Sequence, residues 1–211
     1  MAPTRTVALL AVVAAVVLAG CGGSGSGPDP AVVDGSPAAL PADAASEAGY
    51  EPAGATNRTV NTTVTLSISG DVQLDVTREV SATVPVRRYV RSTDGGPARL
   101  ALAAVPPVRP VPDRPEVRNP VATTPGRLVR FLGGDPSLAG ASFEHVANAT
   151  VTLLGTETTL RVYATTADGR DYRVAVATVR HDGDAVSAVA AWPAGVDERG
   201  RLADLLSAVE H

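Results

Sequence analysis

Only one side chain in this 211-residue sequence carries a thiol, Cys21. It closes the run Leu18-Ala19-Gly20-Cys21, which follows an apolar stretch at 7–18 and precedes a Gly/Ser-rich stretch at 22–27. Small residues ahead of a cysteine, at the end of such a stretch, make a lipobox. The leader is cut on the amino side of the cysteine, and the sulfur then carries a lipid. The apolar stretch is shorter than the roughly 20 residues that span a bilayer as a helix, so cleavage is expected rather than the competing reading, a retained transmembrane anchor. Residues 1–20 are therefore expected to be a lipoprotein-type signal peptide. The mature chain is expected to be exported and held on the outer face of the cell membrane through Cys21. A single arginine, Arg5, precedes the apolar stretch, which does not support a twin-arginine signal.

Other residues offer chemistry in less specific patterns. Asn57-Arg58-Thr59, Asn61-Thr62-Thr63 and Asn148-Ala149-Thr150 are glycosylation sequons. Export would give Asn57, Asn61 and Asn148 the compartment they need, although such triplets also arise by chance in Thr-rich strands. Asn57 is the best placed, ahead of the first expected strand. His145 beside Glu144 is half of a metal or acid–base pair, but a metal site needs three or four converging ligands. His181 and His211 fall in a turn and at the last position, so solvated histidines and no metal are expected. Asp182-Gly183-Asp184 holds only a fragment of a calcium loop and reads as a hairpin turn. Arg87, Arg88 and Arg91 around Tyr89 suggest either a small anion-binding patch or a solvated strand face, and the acidic balance of the chain favours the second. Trp192, the only tryptophan, is expected to plug the end of the core. No Gly-x-Ser-x-Gly elbow occurs, and no Gly-Lys-Thr/Ser follows Gly133-Gly134. No catalytic residues, no cofactor and no enzymatic activity are expected.

Composition bounds the rest. The 18 basic residues are all arginine against 22 acidic ones, a net charge of −4. Losing Arg5 with the leader makes the mature chain one unit more negative. That balance argues against nucleic acid as a partner, since a basic footprint is needed for it. It suits solubility at high salt, and arginine without lysine fits either that habitat or GC-rich coding. Partners are then the membrane, through the lipid on Cys21, and an unidentified protein or small molecule. A lone cysteine forms no intrachain disulfide. Hydrophobic residues make up 45% but aromatics only 3%, so Val, Leu and Ala must fill the core, and the β-branched share favours sheet.

These residues need elements to hold them. Residues 21–36 read as a flexible tether and 37–211 as one domain. A short helix is expected within 36–49, with Gly49 as its stop. From Val60 the period becomes two, a turn falls at Ser69-Gly70-Asp71, and the chain returns with Val72 to Val86 on one face and polar residues on the other. Arg78 interrupts the apolar face as a bulge, a register change or a paired charge. Pro85 argues for an edge or a bend. Residues 99–105 form a strand, and the seven prolines of 106–125 make an extended surface excursion. Thr124-Pro125 starts a middle helix that Gly133-Gly134 stops. Strands follow at 147–154, 158–165, 172–179 and 185–192, with turns at Asp168-Gly169 and Asp182-Gly183. A last helix begins after Asp197. The fold class expected is α+β: a curved antiparallel β-sheet with a short N-terminal helix, a middle helix and a C-terminal helix packed on one face.

With these pieces in order, the chain resembles a family of haloarchaeal lipoproteins known only as a domain of unknown function. The likeness rests on Leu18 to Cys21, Ala48-Gly49-Tyr50, Leu154-Gly155-Thr156-Glu157-Thr158, Ala190-Ala191-Trp192-Pro193, and the ending Leu205-Leu206 with Val209-Glu210-His211. It implies a lipid-anchored surface protein of a halophile and assigns no functional residues. Strands followed by a Trp-Pro corner and a terminal helix also look like the PsbP-like α+β fold, a likeness that says little about function. Three functions compete: a surface-tethered binding or accessory module, a carrier of an apolar small molecule held between sheet and helices, and, least supported, an enzyme.

Overall fold

The computed structural model describes residues 31–68, 74–107, 125–132, 138 and 140–211. Among these residues eight strands form an open sheet: β1 (Ala31–Asp34), β2 (Glu51–Ile68), β3 (Leu74–Arg91), β4 (Ala98–Val105), β5 (Glu144–Leu153), β6 (Thr156–Ala167), β7 (Arg170–His181) and β8 (Asp184–Pro193). Three helices join them: α1 (Ala42–Glu47), α2 (Pro125–Leu132) and α3 (Arg199–Ser207). The architecture is α+β. Two antiparallel meanders, β2–β3–β4 and β5–β6–β7–β8, meet through their last strands, β4 against β8.

The second meander follows directly from its turns. Asp168-Gly169 and Asp182-Gly183 both have positive φ, the signature of two-residue hairpins whose twist matches the flanking strands. The turn between β5 and β6 has the same form with Leu154 (φ 51°) in the first place. A leucine carries no turn signal, so this hairpin is invisible to turn chemistry.

The first meander is a long ribbon. β2 pairs with β3 from Glu51↔Val90 to Ile68↔Leu74. It starts nine residues ahead of the expected Val60, because residues 51–59 have no alternation to read. On the other edge of β3, β1 pairs with Val80–Thr83 and β4 with Val86–Arg91. Pro85 falls in the gap between them, where a residue without an N–H is tolerated. The β1–β3 pair is parallel, so the sheet is mixed rather than wholly antiparallel. β1 also corrects the expected tether: residues 31–34 lie inside 21–36 yet form a strand. Four residues between Pro30 and Gly35 are too few to show a period, and their partner lies far along the chain. Residues 1–30, the turn at Ser69-Gly70-Asp71, most of the proline-rich stretch 106–125, Thr124, Gly133-Gly134 and the side chain of Arg78 lie outside the described residues.

Both faces of the sheet are covered. On one, Leu100, Leu102, Ala188, Ala190, Leu160 and Trp192 pack with Ala45 of α1 and Leu202, Leu205 and Leu206 of α3. On the other, Val84, Val86, Ala101, Ala103, Val174 and Val189 pack with Leu128 and Val129 of α2 and with Leu138. Where three helices were expected on one face, α1 and α3 share one core cluster and α2 belongs to the other. The physical reason is visible in β4 and β8, which are buried along nearly their whole lengths. Two-sided burial replaces alternation with a nearly continuous apolar run, and Ala185 to Ala191 is such a run apart from Ser187. The many alanines keep both layers close to the sheet, and Trp192, 2% exposed, fills the end of the core.

Candidate functional site

The site is built where the first and last segments of the domain meet. α1 ends in a Schellman motif: the Tyr50 N–H donates to Ala45 O (2.8 Å) and the Gly49 N–H to Ser46 O (2.9 Å), with Gly49 at φ +74°. This reversal turns Tyr50 inward. Its ring is 2% exposed, and its hydroxyl donates to Glu198 Oε2 at 3.4 Å. Glu198, at the entrance to α3, is fully buried, and its other oxygen is ion-paired with Arg91 at the end of β3. Arg201, one turn into α3, lies 3.6 Å from Glu198 Oε2 and donates to Ala48 O at 3.2 Å. Burial raises the Tyr50 hydroxyl's pKa above its ordinary value, an effect that Arg91 partly offsets. Gly49 is needed twice, for its φ and for space: a Cβ there would sit 3.3 Å from Arg91 Cδ.

In front of this cluster lies an open groove of about 610 Å³ between α1 and the adjoining ends of β2 and β3. Leu40, Ala45, Tyr50, Pro52 and Tyr89 form its apolar walls, and Arg87 and Arg88 border it. Both tyrosines are fixed by their hydroxyls, Tyr50 on Glu198 and Tyr89 by accepting the Leu40 N–H at 2.8 Å. Arg88 has its pKa lowered, first by burial and then by the charge of Arg58. The arrangement offers a mainly apolar groove bordered by Arg87 and Arg88, with the carboxylate of Glu51 also in its lining.

The arginines around Tyr89 thus divide. Arg87 is exposed at the groove, while Arg91 turns inward to Glu198. No local pattern points to the Glu198–Arg91–Tyr50 cluster, whose members are 41 to 148 positions apart. Of the motifs noted earlier, only Ala48-Gly49-Tyr50 points to it. Asn57 lies within β2, not ahead of the first strand, and it is exposed, as are Asn61 in β2 and Asn148 in β5. Asn148 Oδ1 is held by His145 Nε2 at 2.8 Å, and His145 stands edge-on to Tyr163. His181 and His211 are brought together, with ring centroids 5.7 Å apart, and His211 Nε2 is 3.2 Å from Asp184 Oδ2. Among the described residues no group of three or more His, Cys, Asp or Glu is placed to hold a metal ion. Among them, too, no helix is long and apolar enough to cross a membrane. Cys21 lies outside them.

Comparison with known families finds a match over residues 37–210, to a family described as a domain of unknown function. No curated protein matches the chain.

Proposed function

Since the chain belongs to the family Domain of unknown function (DUF6517), whose description assigns no activity, we propose its function from its own residues: a non-catalytic binding module, lipid-anchored on the outer face of the cell membrane. The α1 groove carries the binding half of this reading. Its volume of about 610 Å³ falls in the range of small-molecule sites, roughly 300–1,000 Å³. The lipobox Leu18 to Cys21 carries the anchoring half. A halophile's surface fits the net charge of −4. The apolar walls also favour the carrier reading, with the ligand lying in an open groove between α1 and the sheet rather than in a sealed cavity.

The anchor is tested by the intact mass of protein recovered from host membranes. A chain starting at Cys21 and carrying a lipid is expected, and Cys21→Ser should leave the membrane fraction. A full 211-residue mass would refute cleavage. The groove is tested with dodecanoate as an apolar anionic probe, followed by NMR. Ala42→Phe, which places a ring in the groove from the exposed side of α1, and Arg87→Glu should each weaken binding by about tenfold or more, a difference of about 1.4 kcal/mol. Unchanged binding in both variants would remove the groove from the proposal.

A further inference from the structure

The two edges of the sheet are treated differently. β5, at one end, carries a bulge between His145 and Ala147 and bears Glu144, whereas the bulge and the proline of β2 lie at its start, between Pro52 and Gly54. These are the usual devices that stop an edge from pairing with another chain. β2, at the other end, pairs only with β3 among the described residues. From Gly54 to Ile68 it holds no proline and one charge, Arg58, and Gly54, Asn57, Thr59, Asn61 and Thr63 are exposed. The distal part of the ribbon, Thr63–Ile68 with Leu74–Glu79, has no third strand among the described residues, since β1 reaches only Val80. Two strands alone are marginal in water, and a third is normally needed for independent stability.

We infer that the β2 edge is a homodimer interface. β2 pairs antiparallel with β2 of a second copy across a two-fold axis, so that the two sheets become continuous. The strand is its own best complement. Centred on Asn61, the pairing uses 54–68 throughout and sets Thr59 opposite Thr63, Asn57 opposite Thr65, and Arg58 opposite Val64. No like charges meet, which directly opposed pairs require. Such a ladder forms about one backbone hydrogen bond per residue pair, and it gives each distal ribbon its missing neighbours. A heterologous strand would have to match the same long proline-free stretch, whereas a second copy does so by symmetry. The inference does not rest on the anchor or on the groove. It has one consequence for modification: a glycan on Asn61 would face its own copy at the axis, so Asn61 is the sequon left bare.

The test uses the full chain in detergent on a Cys21→Ser background, which removes the other thiol. Single cysteines replace Asn57, Thr59, Asn61, Thr63 and Thr65 in turn, with Val146→Cys on β5 as the control edge. Disulfide-linked dimer should be greatest for Asn61→Cys. Thr59→Cys alone should link weakly, because its copy lies about 14 Å away along the strands, while Thr59→Cys combined with Thr63→Cys should link well. Sedimentation should give the mass of two chains for the parent, and of one for Thr59→Asp/Thr63→Asp, with unchanged circular dichroism. A parent that sediments as one chain would overturn the inference. So would a dimer that links through Val146→Cys and not through β2.

Discussion

Removing the Glu198 carboxylate should cost more stability than any other single polar change in the domain. The group is fully buried, and the Arg91 side chain that faces it is 19% exposed. Glu198→Ala would leave the guanidinium without its counterion, next to an Nε that already lacks a partner among the described residues. Breaking a buried pair from one side typically costs about 3–5 kcal/mol. Arg91 can relax toward water through its exposed part, so we expect the lower end, about 3 kcal/mol. The contact with Arg201, whose side chain is 41% exposed, adds less than about 1 kcal/mol. For a domain of this size that corresponds to a melting temperature lower by about 6–12 °C. The decisive measurement is the double-mutant cycle with Arg91→Met, by urea and thermal unfolding. Replacing both partners removes the stranded charge but leaves the buried Tyr50 hydroxyl without its acceptor, so the double variant should stay about 1–3 kcal/mol below the parent and cost clearly less than the sum of the two single changes. High salt should change little, because a buried pair is poorly screened. Simple additivity of the two single changes, or a cost for Glu198→Ala below about 1 kcal/mol, would refute the reasoning.

Three further outcomes follow from the same corner. Burial raises the Tyr50 pKa above 10.0, so the folded chain holds a proton that the unfolded chain releases. This contribution is complete below pH 10 and is lost as pH rises through the folded-state value; Tyr50→Phe should flatten that alkaline loss, and in the parent one of the four tyrosines should ionise late by phenolate absorbance. Gly49→Ala places a side chain at φ +74° against Arg91 and should cost about 1–2 kcal/mol in urea unfolding. Tyr89→Phe leaves the buried Leu40 N–H without its acceptor, costing about 1–3 kcal/mol and weakening dodecanoate binding as the α1 wall loosens.

What was legible in the sequence was what local chemistry specifies. The hairpins at Asp168-Gly169 and Asp182-Gly183, the stop at Gly49 and the first residue of α2 at Pro125 were readable because each is set by one residue's allowed φ or missing N–H. The alternation of β3 was readable because Val80, Ala82, Val84 and Val86 are buried while the residues between them are only partly so. β1 was not, since a four-residue parallel strand is defined by a partner about fifty positions away. Nor was the placement of α2 on the opposite face, although the apolar run of β8, interrupted only by Ser187, held the clue. At the site, Tyr89 and the neighbouring arginines were visible as a group, but their division was not. Whether an arginine faces a groove or a buried carboxylate depends on Glu198, which arrives from the far end of the chain.

That dependence explains why the scattered motifs belong together. Ala48-Gly49-Tyr50 and the last residues converge on one corner. Arg201 holds Ala48 O, Tyr50 meets Glu198, and Glu210 forms a two-way backbone bridge with Ala39 at 2.9 Å in each direction. The corner ties residues 38–50 to residues 198–211, closing the longest loop in the domain. Such closure carries a large entropic cost that grows only slowly with further length. A secreted domain would commonly meet it with a disulfide, which a chain with one cysteine cannot form. Here a buried ion pair, a tyrosine hydroxyl and a two-residue bridge do that work, and the groove stands on the segment they hold. Loosening the corner should therefore release α1 and the groove before it disturbs β4, β8 and the doubly covered centre of the sheet, and amide exchange at Leu40 and Tyr50 should rise ahead of exchange at Leu102 and Ala188.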